Sequence, residues 1–425
     1  MFVDNVELLG DTIVIHEEKC IIALSLNTLQ MGMVSRNRKN YKSILFSEGF
    51  ANEPGKLDGQ IPWSSPSNMT LLLGRGCHLR CKYCYAHGGD TNPKMAEEVG
   101  SAAVEAYFSV TKGGKKIHFH GGGEPTLNFS LIQKLVESYT DKGVKWHLTT
   151  SGVMSEDVAK WFVSHKIPIC ISVDGPPSIQ DSLRPLADGS PSSPFVERTY
   201  SIIRDAGQGL AARTTLVADS AERIDEILKY FGELGIQSVH IESLYTVGRA
   251  ETERGIIRRP EELAWIAALV KALDWAKVNG KQVRVGELLY ILDPGMKPYC
   301  GPMCGCTTTV THEGDLTSCN EVVDSVDEAA SLFHIGKLDL GEKSFKIDMR
   351  KAEILSRRVP ANMAKCKDCF VKYVCRGGCP HKGYMATGDL LEPDPRHCLF
   401  IQTIIPMLIK RMVLGDYSDV VREVI

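Results

Sequence analysis

From Met69 to Val278 short apolar runs alternate with longer amphipathic segments. Strands are predicted at Met69–Leu73, Lys116–His120, Val144–Thr150, Pro168–Val173, Ala211–Val217 and Ser238–Leu244. Between them, helical spacing covers Ala96–Val110, Leu131–Tyr139, Glu156–Ser164, Pro194–Asp205, Ala221–Leu234 and Pro260–Val278, with Asn279-Gly280 closing the last. Strand and helix in strict alternation argue for an α/β fold of parallel βαβ units, in a full or partial barrel or a doubly wound sheet. Residues 1–66 read differently. The runs Thr12–Ile15 and Cys20–Leu24 suggest a small strand-rich extension, followed by a basic stretch with Arg36, Arg38, Lys39 and Lys42. Beyond residue 285, Thr307–Ser318 reads as a β-hairpin turning at Glu313-Gly314-Asp315. Three parts are expected: 1–66, 67–285 and 286–425.

Composition narrows the class. Hydrophobic residues at 43% and charged residues at 24% describe an ordinary globular chain. Forty-nine basic residues against 52 acidic give a net charge of -3, which offers no field for nucleic acid or an anionic membrane. The apolar run Leu399–Ile409 is broken by Gln402 and Pro406 and is too short to span a bilayer. Met1–Leu8 carries Asp4 and Glu7 and has no basic segment leading into an apolar one, so a cytoplasmic protein is expected. In that reducing compartment 14 cysteines read as metal ligands, and nine of them fall between Cys300 and Cys398.

Directly after the first predicted barrel strand stands Cys77-His78-Leu79-Arg80-Cys81-Lys82-Tyr83-Cys84. Three thiolates this close hold three irons of a [4Fe-4S] cube and leave the fourth open to chelate the amino and carboxylate groups of a small molecule. A zinc site with His78 as fourth ligand, or a ferredoxin-like cluster completed from elsewhere, would use the same spacing. The next strand ends in His120-Gly121-Gly122-Gly123-Glu124-Pro125, where glycines let backbone approach a ligand and Glu124 offers an acceptor for an ammonium group. By itself such a turn is also an ordinary tight βα connection.

Together these two motifs resemble the radical S-adenosylmethionine (SAM) superfamily, whose three-cysteine loop falls on Cys77, Cys81, Tyr83 and Cys84 and whose GGEP turn falls on Gly122–Pro125. The resemblance implies a partial (β/α)6 TIM-like barrel that binds SAM on the open iron. Tyr83 would pack near the adenine, and Gly121, Gly122, Gly123, Glu124 and Pro125 would form the turn holding the amino group. Ser151, Gly152, Ser172 and Asp174 would lie around ribose and carboxylate, with Arg184 paired to that carboxylate. Asp174 and Arg184 also read as a turn-closing Asp and a surface Arg. The C-terminal array Cys300, Cys304, Cys306, Gly314-x4-Cys319, Cys366-x2-Cys369-x5-Cys375-x3-Cys379 and Cys398 resembles the SPASM extension of sulfatase and peptide maturases. By that resemblance Cys300, Cys304, Cys319 and Cys379 would hold one auxiliary [4Fe-4S] cluster and Cys366, Cys369, Cys375 and Cys398 another, making three clusters. Zinc ribbons are the alternative, and Cys306 stands as a replacement for Cys300, a free thiol or a packing residue. Cys20 and Cys170 read as plain buried thiols.

The implied activity is oxidation or cross-linking of a precursor peptide or protein, in the manner of enzymes acting on ribosomally made peptides. A 5'-deoxyadenosyl radical would abstract a substrate hydrogen, and a flavodoxin or ferredoxin would supply the low-potential electron. Sulfatase maturases place an Asp proton acceptor directly after the auxiliary cysteine, whereas Cys319 is followed by Asn320 and Glu321. An amide cannot take a proton, so formylglycine formation is disfavoured, and Glu321 is the candidate base, or else a solvated carboxylate. A small-molecule substrate of haem-precursor or amino-sugar type, and a non-catalytic iron-sulfur or zinc-ribbon protein, are the competing expectations. Residues 1–66 are a candidate leader-peptide element acting by strand addition, with the basic segment either docking an acidic leader or lying as a solvated loop.

Overall fold

The computed structural model describes residues 5–17, 20–25, 30–35, 40–50, 63–253, 256–288 and 299–413. Two compact units divide the chain. One gathers Pro62–Ala272 with Gly301–Ile354, and the other gathers Met1–Ile61, Leu273–Cys300 and Leu355–Ile425.

In the second of these units β1 (Val6–Leu9), β2 (Thr12–His16), β3 (Cys20–Ser25) and β4 (Met31–Ser35) form an antiparallel meander in sequence order. Val14, Ile21 and Ala23 turn one face onto Leu45 and Phe50, the latter following the short helix Tyr41–Ser47. Lys42 donates to Glu7 at 3.1 Å, while Arg36, Arg38 and Lys39 lie outside the described residues. The same unit holds β11 (Gln282–Arg284) and the C-terminal helix Pro395–Val413, whose Lys410 donates to Glu17 at 2.8 Å. Among the described residues no helix is long and apolar enough to cross a membrane.

The larger unit is the α/β domain. Its strands β5 (Asn68–Leu72), β6 (Lys116–His120), β7 (Lys145–Thr150), β8 (Ile169–Ser172), β9 (Ala211–Leu216) and β10 (Ser238–Ser243) lie parallel, each beside the next. Helices Glu97–Val110, Phe129–Ser138, Glu156–Ser164, Ser193–Asp205 and Ile224–Leu234 return the chain between them. This is the partial (β/α)6 arrangement, with strand bounds within about one residue of those read from hydrophobic period. Two-residue alternation splits β6 to β10, whereas Met69–Leu72 of β5 are buried throughout. Ile117, Phe119, Trp146, Leu148, Ile169, Ile171, Val239 and Ile241 are buried, while His118, His120, His147, Thr149, Ser172, His240 and Glu242 at the alternate positions are polar and half-buried.

The expected hairpin is β12 (Thr307–Val310) with β13 (Asp315–Thr317), the turn carrying Gly314 at φ +81°. β12 also runs parallel to β5, Thr307 opposite Asn68, so the hairpin continues the barrel sheet through β14 (His334–Asp339) and β15 (Ser344–Ile347).

Candidate functional site

The loop leaving β5 is held by arginines on its carbonyls. Arg80 donates to Cys77 O at 3.1 Å and Gly89 O at 2.7 Å. Arg249 donates to Cys81 O at 3.2 Å and Gly88 O at 2.7 Å. Arg75 donates to Ala86 O at 2.6 Å and pairs with the buried carboxylate of Asp324. With the backbone fixed in this way the three sulfurs lie close enough for Cys77 to feel Cys81 and Cys84, and Cys81 to feel Cys84. Among the described residues Cys77 and Cys84 accept backbone N–H groups, from Leu79 at 3.4 Å and Gly88 at 3.3 Å. Burial pushes the Cys81 thiol up to about 12 and the Cys77 thiol higher still, the charge of Cys81 adding to the effect on Cys77. Adjacent thiolates in such surroundings are tenable only when bound to a cation, so this donor set fits the three protein-bound irons of a [4Fe-4S] cube.

The glycine turn is fastened onto this loop. Glu124 N donates to Gly76 O at 2.7 Å, and a Cβ on Gly123 would come within 2.1 Å of that same oxygen. Gly122 meets Val323 and Gly121 folds against Gly123 O, so none of the three positions has room for a side chain. Glu124 is 6% exposed, and its carboxylate accepts five hydrogen bonds at 2.7–3.1 Å, from Thr126 N and Oγ1, Thr150 Oγ1, and Ser151 N and Oγ. It therefore braces the end of β6 against the end of β7. Ser151 is placed by the same brace, and Gly152 follows at φ +81°. Pro125 opens the short 3-10 turn Pro125–Asn128.

Asp174 is fully buried at the end of β8. Arg184 forks onto it at 2.9 and 3.1 Å, Thr215 N donates at 3.1 Å, and the Tyr83 hydroxyl donates to it as well. The guanidinium also lies over the Tyr83 ring, 5.2 Å from its centroid. Residues expected to contact a ligand separately thus form one buried group that ties the cysteine loop to β8 and β9. Ser172 is half-buried opposite Arg213.

In the barrel unit Cys304 and Cys306 have sulfurs 2.9 Å apart, and Ser64 holds both, through Cys304 O at 3.2 Å and Cys306 Sγ at 3.1 Å. Cys319 is set by Thr317, and the Asn320 amide oxygen accepts from Thr309 at 2.7 Å. In the other unit Cys366, Cys369, Cys375 and Cys398 converge: burial first, then the charges of neighbouring members of the set, raise Cys366 and Cys398 to about 11 each. Gln402 donates to Cys369 Sγ at 3.4 Å, and His397 lies 3.3 Å from Cys375 Sγ. The buried Arg358 feels the charges of Cys379, Cys366, Cys375 and Cys300 and donates to Gly377 O and Gly378 O at 2.8 and 2.7 Å. Of the first proposed set, Cys300 and Cys379 belong to this unit, and Cys304 and Cys319 to the barrel unit.

One group went unforeseen. His118, His120, His147, Thr149, Arg213, His240 and Glu242 occupy the polar alternate positions of β6, β7, β9 and β10. His120 on β6 feels Arg213 and Glu242 on β9 and β10, so these side chains converge on the concave face. Arg213 donates to both Glu242 oxygens at 3.0 and 2.9 Å, and His240 lies 3.1 Å from the same carboxylate. A closed barrel fills this space with branched aliphatic side chains; here it is a polar chamber.

Residues 71–258 match the model of the radical SAM superfamily. It is 28% identical over 182 residues to the uncharacterized protein MJ0907 of Methanocaldococcus jannaschii, spanning 62% of that protein's length and 42% of its own. The cysteine-type anaerobic sulfatase-maturating enzyme of Clostridium perfringens is 24% identical over 336 residues, 73% of this chain and 88% of that one. The AdoMet-dependent heme synthase of Methanosarcina barkeri is 25% identical over 358 residues, 79% of this chain and 97% of that one. Among solved structures, native anSMEcpe with bound AdoMet and Cp18Cys peptide superposes with TM-score 0.64 at 19% identity, covering 83% and 99% of the two chains. Streptococcus suis SuiB bound to its precursor peptide SuiA gives 0.57 at 14% identity, covering 92% and 99%. These structural likenesses show the fold.

Proposed function

We propose that this radical SAM chain is an enzyme that oxidises or cross-links a residue of a peptide or protein, holding SAM at the Cys77–Cys84 loop and the Gly121–Pro125 turn. The observation that carries the reading is the clamp between them: a three-cysteine loop with unfavourable thiolates, bonded through Glu124 N to a glycine turn that admits no side chain. Cluster and SAM, when bound, supply a 5'-deoxyadenosyl radical that removes a hydrogen atom from the substrate. The chain's own residues orient and shield that event. Tyr83, Ser151, Ser172, Asp174 and Arg184 would shape the nucleoside and carboxylate subsites, with Asp174 and Arg184 acting through the loop they tie down.

Cys366, Cys369, Cys375 and Cys398 would hold one auxiliary cluster, and Cys300, Cys304, Cys319 and Cys379 a second, giving three in all; Cys306 would support Cys304. Their role would be to accept the electron released by substrate oxidation, with a flavodoxin or ferredoxin reducing the SAM-binding cluster. A peptide substrate is supported by the fold shared with proteins solved bound to Cp18Cys and SuiA peptides. The functional division would be 1–66 for peptide recognition, 67–285 for the radical reaction and 286–425 for the auxiliary clusters, in the cytoplasm. Glu321, at the mouth beside His120 and Tyr85, would favour a positive charge developing there.

A second reading follows from the 97% coverage of a haem synthase: oxidation of a small carboxylated molecule. The deciding experiment is anaerobic co-expression with short peptides encoded beside the gene, against a Cys77/Cys81/Cys84→Ala control, read by mass spectrometry. Loss of hydrogen mass that vanishes in the control is the expected result. Unchanged peptides with SAM still cleaved by the purified protein would transfer the reading to a small molecule, and no SAM cleavage after cluster reconstitution would end the radical reading.

A further inference from the structure

An oxidative radical modification removes two hydrogens. One leaves as an atom to the 5'-deoxyadenosyl radical. The substrate radical must then lose an electron and a proton as its new bond forms; an oxidised [4Fe-4S] cluster held by the C-terminal cysteines would take the electron. The proton needs an acceptor in the chamber and a way out. Asn320 offers none, since it carries no basic atom and its amide oxygen is already bound by Thr309.

The concave face supplies a candidate. His120 ends β6, one residue before the turn assigned to SAM, and its Nδ1 is buried with no hydrogen-bond partner. Two positions down the strand His118 stands edge-on to it, with ring centroids 5.3 Å apart, and is anchored by Nε2 to Thr149 Oγ1 at 2.8 Å. His147, opposite His118 in register on β7, follows at 6.5 Å. Beyond it the strands begin at Lys116 and Lys145, both exposed. His120 and His118 therefore lie in file along β6, and His147 stands beside His118 on β7, half-buried and two residues from the exposed Lys145.

We propose that His120 takes the proton released from the oxidised substrate and that His118, one pleat along β6, and His147, beside it on β7, relay it to water. This rests on the oxidative reading above. The groups facing His120 suit the task. Arg213 from β9 keeps it from holding a proton, Glu242 from β10 and Glu321 from the segment after β13 favour the transient imidazolium, and the Tyr85 hydroxyl closes the mouth by donating to Gly121 O at 3.2 Å. Burial above all, then Arg213, lowers His120 to about 4, and burial lowers His118 and His147 too, so the file is neutral and ready to accept at neutral pH.

Two measurements on the cluster-loaded full chain test this. The first needs no substrate: hydrogen–deuterium exchange at each imidazole C2, followed against pH by mass spectrometry. His120 and His118 titrating well below 6.5, with His147 exchanging faster than His120, is the expected result; a His120 protonated at neutral pH overturns the proposal. The second uses whichever co-expressed peptide the unaltered enzyme modifies. In His120→Gln the yield of modified peptide falls about a hundredfold and the 5'-deoxyadenosine formed per modified peptide rises at least about tenfold, because abstraction outruns product formation. A fall in both together, or an unchanged ratio, overturns the proposal. Should His120→Gln lose iron or fold poorly, His118→Gln, midway down the file, must raise the same ratio, and no rise overturns it. If the unaltered enzyme modifies no peptide, the peptide reading fails and the imidazole titration alone decides the relay.

Discussion

Glu124 shows how far a motif can be read and where it stops. Its position after three glycines is visible in the chain, but its partners Thr150 and Ser151 stand 26 and 27 residues away and depend on β7 arriving beside β6. A carboxylate accepting from five donors cannot be replaced by an amide, because one of the two amide positions would present N–H to N–H. We expect Glu124→Gln to lower stability by about 2–3 kcal/mol, seen as a lower thermal midpoint of the apo protein, with weaker SAM binding on the loaded one. The cysteine spacings were legible for the opposite reason, since the candidate ligands recur at short intervals along the chain. Asp174 and Arg184 were half legible: both residues were singled out, but that they face each other was not, because the turn between them had to be built first. The thiols carry a pH prediction of their own. Folding raises Cys81 from about 9 to about 12, so the folded apo protein holds a proton that the unfolded chain releases across that range. Apo stability is therefore complete below about pH 9 and declines toward pH 12, whereas the cluster-loaded protein, with these sulfurs already deprotonated, shows a smaller decline. Urea titrations of both forms at pH 8 and pH 10.5 check the sign.

At the scale of elements, hydrophobic period placed all six barrel strands and the hairpin, because each signal is carried within a single element. The pairing of β12 with β5 was not visible, since Thr307 and Asn68 are brought together only by the whole intervening barrel. The polar chamber was visible in principle. Lys-Ile-His-Phe-His in β6 and Ser-Val-His-Ile-Glu-Ser in β10 alternate cleanly, and in a strand covered by helices the polar positions have only the concave face to turn to. Reading the apolar half of the period and not the polar half missed His120 and Arg213. The glycine turn makes an element-level prediction. In Gly123→Ala the new methyl would stand 2.1 Å from Gly76 O and close to Arg75, both backbone neighbours that cannot rotate away. The strand end and the cysteine loop must then separate, and iron retained at the Cys77–Cys84 site after gel filtration should fall by more than half. Unchanged iron with unchanged SAM binding would show that the clamp tolerates an opening of about 1 Å.

Across the whole molecule, chain order and compactness part company. The N-terminal meander shares a unit with the last helix, some four hundred residues later, and Lys410 reaches back to Glu17 within that unit. Cys398 sits near the start of that helix, Cys366 and Cys375 feel its charge, and it feels that of Cys369. A cluster on these four thiols would therefore pin the N-terminal end of the helix that packs on β3 and β4. Sequence alone separates the strand-rich start from the cysteine-rich end because nothing local links them. The consequence is that metal loss in the C-terminal array should be felt at the N-terminus. In Cys398→Ser we expect about four fewer irons per chain and faster amide exchange across Cys20–Ser35, with the iron at Cys77–Cys84 retained. Zinc in place of the missing iron in the unaltered protein would make this array a zinc ribbon and remove the electron acceptor from the mechanism. Iron loss without faster exchange in β3 and β4 would mean that the helix is held by its apolar face, Phe400, Ile401, Ile404 and Leu408, and needs no cluster to stay in place.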